Sequence, residues 1–150
     1  MTAARLDIID RWHQLNDTIL QLVDVIPDDK LDWSPQDGLW SLREVLSHIS
    51  ATRGNWMSMR PRSSEELLAQ ARTKENIKDQ LRQSWARVER FLSDQETLDR
   101  VWEGERDGQH FSYQGHWIAF HVLEHDVHHR ADVFHYLALL GVAHPDVGTP

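Results

Sequence analysis

At 150 residues the chain has the length of one domain with an ordinary core, and its 40% hydrophobic and 27% charged residues are those of a globular protein rather than a disordered or fibrous one. A net charge of -8 argues against nucleic acid and anionic membranes as partners, and the lack of cysteine excludes disulfides, thiolate metal sites and a protein-borne thiol nucleophile. With neither a run of roughly 20 apolar residues nor the apolar core of a signal peptide, the expected location is the cytoplasm.

In chain order, Leu6, Ile9, Leu15, Ile19, Leu22, Val23 and Ile26 recur at helical spacing and predict a first helix from Ala3 to Ile26, ended by Pro27-Asp28-Asp29. Leu31 to Leu39 holds Pro35 and Gly38 and reads as a loop. Ser41 with Glu44 three positions later is a capping box, and Trp40 with Val45 is spaced as a hydrophobic staple, so a second helix runs on to about Met59. On its wheel His48 lies beside Glu44, Ala51, Thr52 and Asn55 at the edge of an apolar face. Such a histidine is either a hydrogen-bonded core residue or one that points into a pocket.

Pro61 closes the second helix, Ser63 with Glu66 offers another capping box, and a short helical piece reaches about Ala71. Ile77, Leu81, Trp85, Val88 and Leu92 then define the main third helix, whose interleaved charges read as a solvated face. Asp94 to Gly115 is polar, carries three glycines, and reads as a loop with room for a short strand pair. The fourth helix runs from about His116 to Leu140, with Gly141 suited to the left-handed conformation that ends a helix. Four long helices in one domain predict an all-α bundle.

The fourth helix carries the densest chemistry. His121, His125 and His129 recur every four residues, with His128, Asp132 and Tyr136 close beside them on one surface. Imidazoles at i and i+4 can reach one metal ion at the roughly 2.0–2.1 Å of a zinc–nitrogen bond. The alternative is a plain solvated face, backed by an apolar stripe of Phe120, Leu123, Val127 and Phe134 that packs inside the bundle or on a second subunit. Arg130 reads as a helix anchor that pairs with a carboxylate.

Three separated segments together resemble one family. Trp40-Ser-Leu-Arg-Glu-Val-Leu-Ser-His48-Ile is similar to the second-helix motif of DinB/YfiT-like proteins, and His125-Asp-Val-His-His129-Arg130 is similar to their fourth-helix signature H-x-x-H-H-R-G-Q. Leu139-Leu-Gly141-Val-Ala-His-Pro145 resembles their usual ending. The resemblance spans the whole chain and implies a four-helix bundle of up-down-down-up type, often a homodimer, with a divalent metal on His48, His125 and His129. Neutral imidazoles suit zinc, nickel, iron or copper, with zinc or nickel foremost. Where the family often has Gly-Gln, this chain has Ala131-Asp132, which places Asp132 and His128 as catalytic or supporting groups.

The resemblance further implies a metal-dependent thiol S-transferase, taking a small-molecule thiol of bacillithiol or mycothiol type and an electrophilic substrate. Two alternatives remain beside it. One is a metal-dependent hydrolase, with Asp132, His121 and Glu44 as candidate bases. The other is a non-catalytic, stress-related protein that binds a metal or a small ligand.

Overall fold

A computed structural model describes residues 7–58 and 64–146. Its elements are α1 (Ile8–Val25), α2 (Leu42–Ser58), α3 (Ser64–Gln70), α4 (Lys74–Leu92), α5 (Gln95–Asp99), β1 (Val101–Arg106), β2 (Gln109–Gln114) and α6 (Gly115–Leu139), with a 3-10 turn at Asp28–Lys30. The four long helices α1, α2, α4 and α6 make a helical bundle. Among the described residues no helix is long and apolar enough to cross a membrane.

Local chemistry accounts for the helix starts. Asp7 caps α1 by accepting from the Ile9 amide at 3.0 Å. The expected capping box opens α2: the Ser41 amide donates to Glu44 Oε2 at 2.7 Å, and the Glu44 amide donates to Ser41 Oγ at 3.2 Å. Thr73 and Asn76 form a second box at the head of α4, whereas the box expected at Ser63 and Glu66 falls partly outside the described residues. Gly141 ends the last helix at φ +71° as expected.

The polar stretch after α4 is more ordered than a loop. It holds the short helix α5, which the sequence did not announce, and an antiparallel hairpin in which Val101 pairs with Gln114 and Arg106 with Gln109. Asp107 (φ 53°) and Gly108 (φ 74°) turn the hairpin. Two consecutive positive φ values match the two-residue turn that Asp-Gly favours.

Side chains fix how the long helices lie. Trp12 meets Trp85, and Asp24 pairs with Lys78, so α1 and α4 are antiparallel. Trp12 meets Asp126 and Thr18 meets Arg130, so α1 and α6 run the same way. His48 meets His129 and Trp56 meets His121, so α2 opposes α6. Ile19, Leu46, Ile77, Leu81, Ile118 and Leu137 fill the centre with no exposed surface. Each such side chain contributes on the order of 1.5–3 kcal/mol by burial.

Of the two places left open for the α6 apolar stripe, the bundle interior takes little of it, and Arg130 has a different partner from the one expected. Of the predicted apolar stripe, Phe120 is 57% and Val127 42% exposed, while Leu123 and Phe134 are only partly buried against the core. The helix instead buries Ile118, Val122, Asp126, Val133 and Leu137, because α1 and α2 cover that side. The buried arginine–carboxylate pair is Arg53 Nε with Asp126 Oδ2 at 2.9 Å, both side chains fully buried. Arg130, cast as the helix anchor, donates to Thr18 Oγ1 at 3.2 Å.

Candidate metal centre

The α2–α6 seam brings His48, His125 and His129 together although they come from distant parts of the chain. Nε2 of His48 and Nε2 of His125 lie 2.9 Å apart, and the His129 ring sits 4.4 Å from that of His125 and 5.0 Å from that of His48. One nitrogen from each of the three falls within 4.8 Å of the others. Nitrogens about 2.0–2.1 Å from a tetrahedral zinc are separated by roughly 3.3 Å, so small side-chain movements bring the three onto one ion. Thr52 Oγ1 closes the inner side of the cluster, 3.2 Å from His125 Nε2 and 3.5 Å from His48 Nε2.

Burial favours the neutral form that a metal requires in two of these rings, His125 and His48. Burial first, and then the neighbouring imidazoles of His129, His48, His121 and His128, together lower the His125 pKa to about 3. Burial, and then His129, lowers that of His48 as well. Neutral rings carry the free lone pair that binds a cation. With Nε2 turned inward, His125 Nδ1 is buried without a hydrogen-bond partner. The donor set therefore fits a divalent transition metal.

The other predicted residues take distinct places. Asp132 Oδ2 accepts from His129 Nδ1 at 2.9 Å. His128 is 72% exposed and stands 4.0 Å from that same oxygen, outside the three-histidine cluster. His121 stacks on Trp117 at 5.0 Å and meets Trp56 edge-on at 4.7 Å. Glu44 is spent on the Ser41 cap, and the Tyr136 hydroxyl donates to the Trp40 carbonyl at 3.0 Å.

Two contributors were missed from the sequence. Trp40, expected to staple onto Val45, lays its ring 4.5 Å from His48 and 5.8 Å from His129, shielding one flank of the cluster while 44% exposed. The second is the polar assembly beneath the seam, where Arg53 joins Asp126 to Asn16 and Ser84. Its one sequence signal is a charged residue at each of two positions on faces that are otherwise small or apolar.

The chain as a whole matches the family model described as the DinB family, over residues 1–150. No curated protein matches it. Among solved structures it is similar to the DinB-like protein YjoA of Bacillus subtilis, with 18% identity, a TM-score of 0.71, and coverage of 93% of this chain and 96% of that one. A DinB-family protein of Exiguobacterium sibiricum is similar at 24% identity and TM-score 0.68, over 93% of this chain and 94% of that one. YfiT of Bacillus subtilis, described as a probable metal-dependent hydrolase with an unusual four-helix bundle topology, is similar at 17% identity and TM-score 0.69, over 95% and 94%. At these identities the structural likeness speaks for the fold, and the match along the full sequence makes this chain a member of the DinB family.

Proposed function

We propose that the protein is a divalent-metal-dependent thiol S-transferase, with zinc or nickel held by His48, His125 and His129. The observation that carries the metal reading is the convergence of three imidazoles, one nitrogen of each within 4.8 Å of the others. Three protein donors leave a coordination position for a small molecule, as in catalytic rather than structural sites. A divalent metal bound there supplies Lewis acidity that lowers the pKa of a thiol or of water in that position.

The proton acceptors around the cluster favour the thiol. A hydrolase needs a base to take a proton from water, and two of the three candidates are already engaged: Asp132 by His129 and Glu44 by the Ser41 amide. A thiol ionises near pH 8.5 unaided, so it needs no dedicated base once its pKa is lowered. The chain has no cysteine, so the thiol comes from outside as a low-molecular-weight compound of bacillithiol or mycothiol type and attacks an electrophilic substrate. The exposed Phe120 and Val127 on α6 support a homodimer.

The second reading is a metal-dependent hydrolase, which the similarity to YfiT supports. One assay separates the two. Zinc- or nickel-loaded protein is given bacillithiol or mycothiol with monobromobimane, and separately p-nitrophenyl acetate without thiol. Metal-dependent thioether formation that disappears in His48→Ala supports the transferase. Ester cleavage alone, independent of thiol, replaces it with the hydrolase.

A further inference from the structure

His129 and Asp132 lie one helical turn apart on α6, and their contact is the best-formed interaction at the edge of the cluster. His129 Nδ1 donates to Asp132 Oδ2 at 2.9 Å, with the histidine side chain 11% and the aspartate 37% exposed. A neutral imidazole has one N–H, and a carboxylate only accepts. The contact therefore keeps the proton on Nδ1 and leaves the lone pair on Nε2, at the far side of the ring. No comparable anchor holds His125, whose Nδ1 is buried and unpartnered.

We propose that Asp132 is a positioning residue of the metal centre. It fixes the His129 tautomer, aims Nε2 at the point shared with His48 and His125, and through its charge makes that nitrogen the strongest of the three donors. The proposal rests on the metal reading above. It also separates charge from shape: Asp132→Asn keeps an oxygen able to accept the bond but removes the charge, whereas Asp132→Ala removes both. His128, exposed and 4.0 Å from the same carboxylate, is the control for the mere loss of a neighbouring side chain.

Two measurements test it. In competition titrations of zinc against a chromophoric chelator, Asp132→Ala weakens binding by about 10–100-fold, Asp132→Asn falls in between, and His128→Ala stays near wild type. Long-range nitrogen–proton correlation spectra of the metal-free wild type show His129 protonated at Nδ1, a preference lost in Asp132→Ala. Equal zinc affinity in wild type and both Asp132 variants overturns the proposal, as does an Nε2-protonated His129 in the metal-free wild type. A wild type that shows the Nδ1 tautomer yet takes up no zinc overturns the metal reading instead, and the donor role of Asp132 falls with it.

Discussion

Trp12 and Asp126 stand 114 residues apart in the sequence, and the indole Nε1–H of one donates to the carboxylate of the other at 2.8 Å. The same oxygen accepts from Arg53 Nε at 2.9 Å, while Arg53 Nη1 reaches Asn16 at 2.8 Å and both Ser84 and the Leu81 carbonyl at 3.3 Å. All four long helices thus meet at one guanidinium. Burial pushes the Asp126 carboxyl up, and the Arg53 charge with the Trp12 hydrogen bond opposes that push.

Asp126→Ala strands Arg53 in the core without its counter-charge. The expected loss is about 3–5 kcal/mol, because an unpaired buried charge costs more than the pair contributed. Urea unfolding monitored by circular dichroism checks it. A loss below about 1 kcal/mol would show that the core tolerates a lone arginine.

Gly115 opens α6 where that helix abuts α5. A Cβ there would run into the carbonyl oxygens of Thr97 and Leu98 and approach Leu98 Cα at 2.8 Å. Backbone atoms cannot rotate aside as a side chain can, so Gly115→Ala forces the helices apart. The expected cost is about 1–3 kcal/mol, read as a lower urea midpoint with an unchanged slope.

Metal removal gives a third outcome. Protein carrying about one equivalent of zinc or nickel loses it in His48→Ala and in His129→Ala, whereas His128→Ala keeps it. A ligand present at about 100 times its dissociation constant stabilises by about 2.7 kcal/mol, which is on the order of 5–10 °C in Tm for this length. Elemental mass spectrometry and thermal melts with and without chelator measure both effects. Metal retained in His48→Ala would place the ion elsewhere.

Arg43 grips Asp32 through two hydrogen bonds, Nε to Oδ1 at 2.6 Å and Nη2 to Oδ2 at 3.0 Å. The hydrogen bond, assisted by the Arg43 charge, holds the Asp32 pKa below its ordinary 3.8. A depressed carboxylate contributes stability above the unfolded pKa and loses it as pH falls through the folded one. The aspartate is 77% exposed, so Asp32→Asn costs no more than about 1 kcal/mol at pH 7. That difference from wild type shrinks with added salt and on acidification below about pH 4. A gap that persists at pH 3 would mean the ion pair is not its source.

Much of this architecture is written in short-range patterns. The apolar rhythm of Ile77, Leu81, Trp85 and Val88 marks α4, and Ser41 with Glu44 marks the start of α2, because each depends on residues within a turn or two. The orientation of α6 does not. Ile118, Val122, Val133 and Leu137 form one apolar stripe at helical spacing, and Phe120, Leu123, Val127 and Phe134 form another. Which of them turns inward is decided by α1 and α2 rather than by α6 itself. The histidine cluster became legible only when the motif around His48 was joined to the one around His125 and His129. Nothing local to α2 distinguishes His48 from a packed histidine, and nothing local to α6 marks Asp126 as the partner of an arginine 73 residues away.

The three imidazoles are unevenly shared between the helices, two on α6 and one on α2. A loose or half-made chain keeps the His125 and His129 pair, since that pair needs only one turn of helix. It lacks the third arm until α2 docks. Tight metal retention would in that sense be a readout of completed assembly: a fragment would hold the proposed ion weakly, and only the closed bundle would hold it firmly. A metal held there would link segments 77 residues apart and narrow what the opened chain can explore.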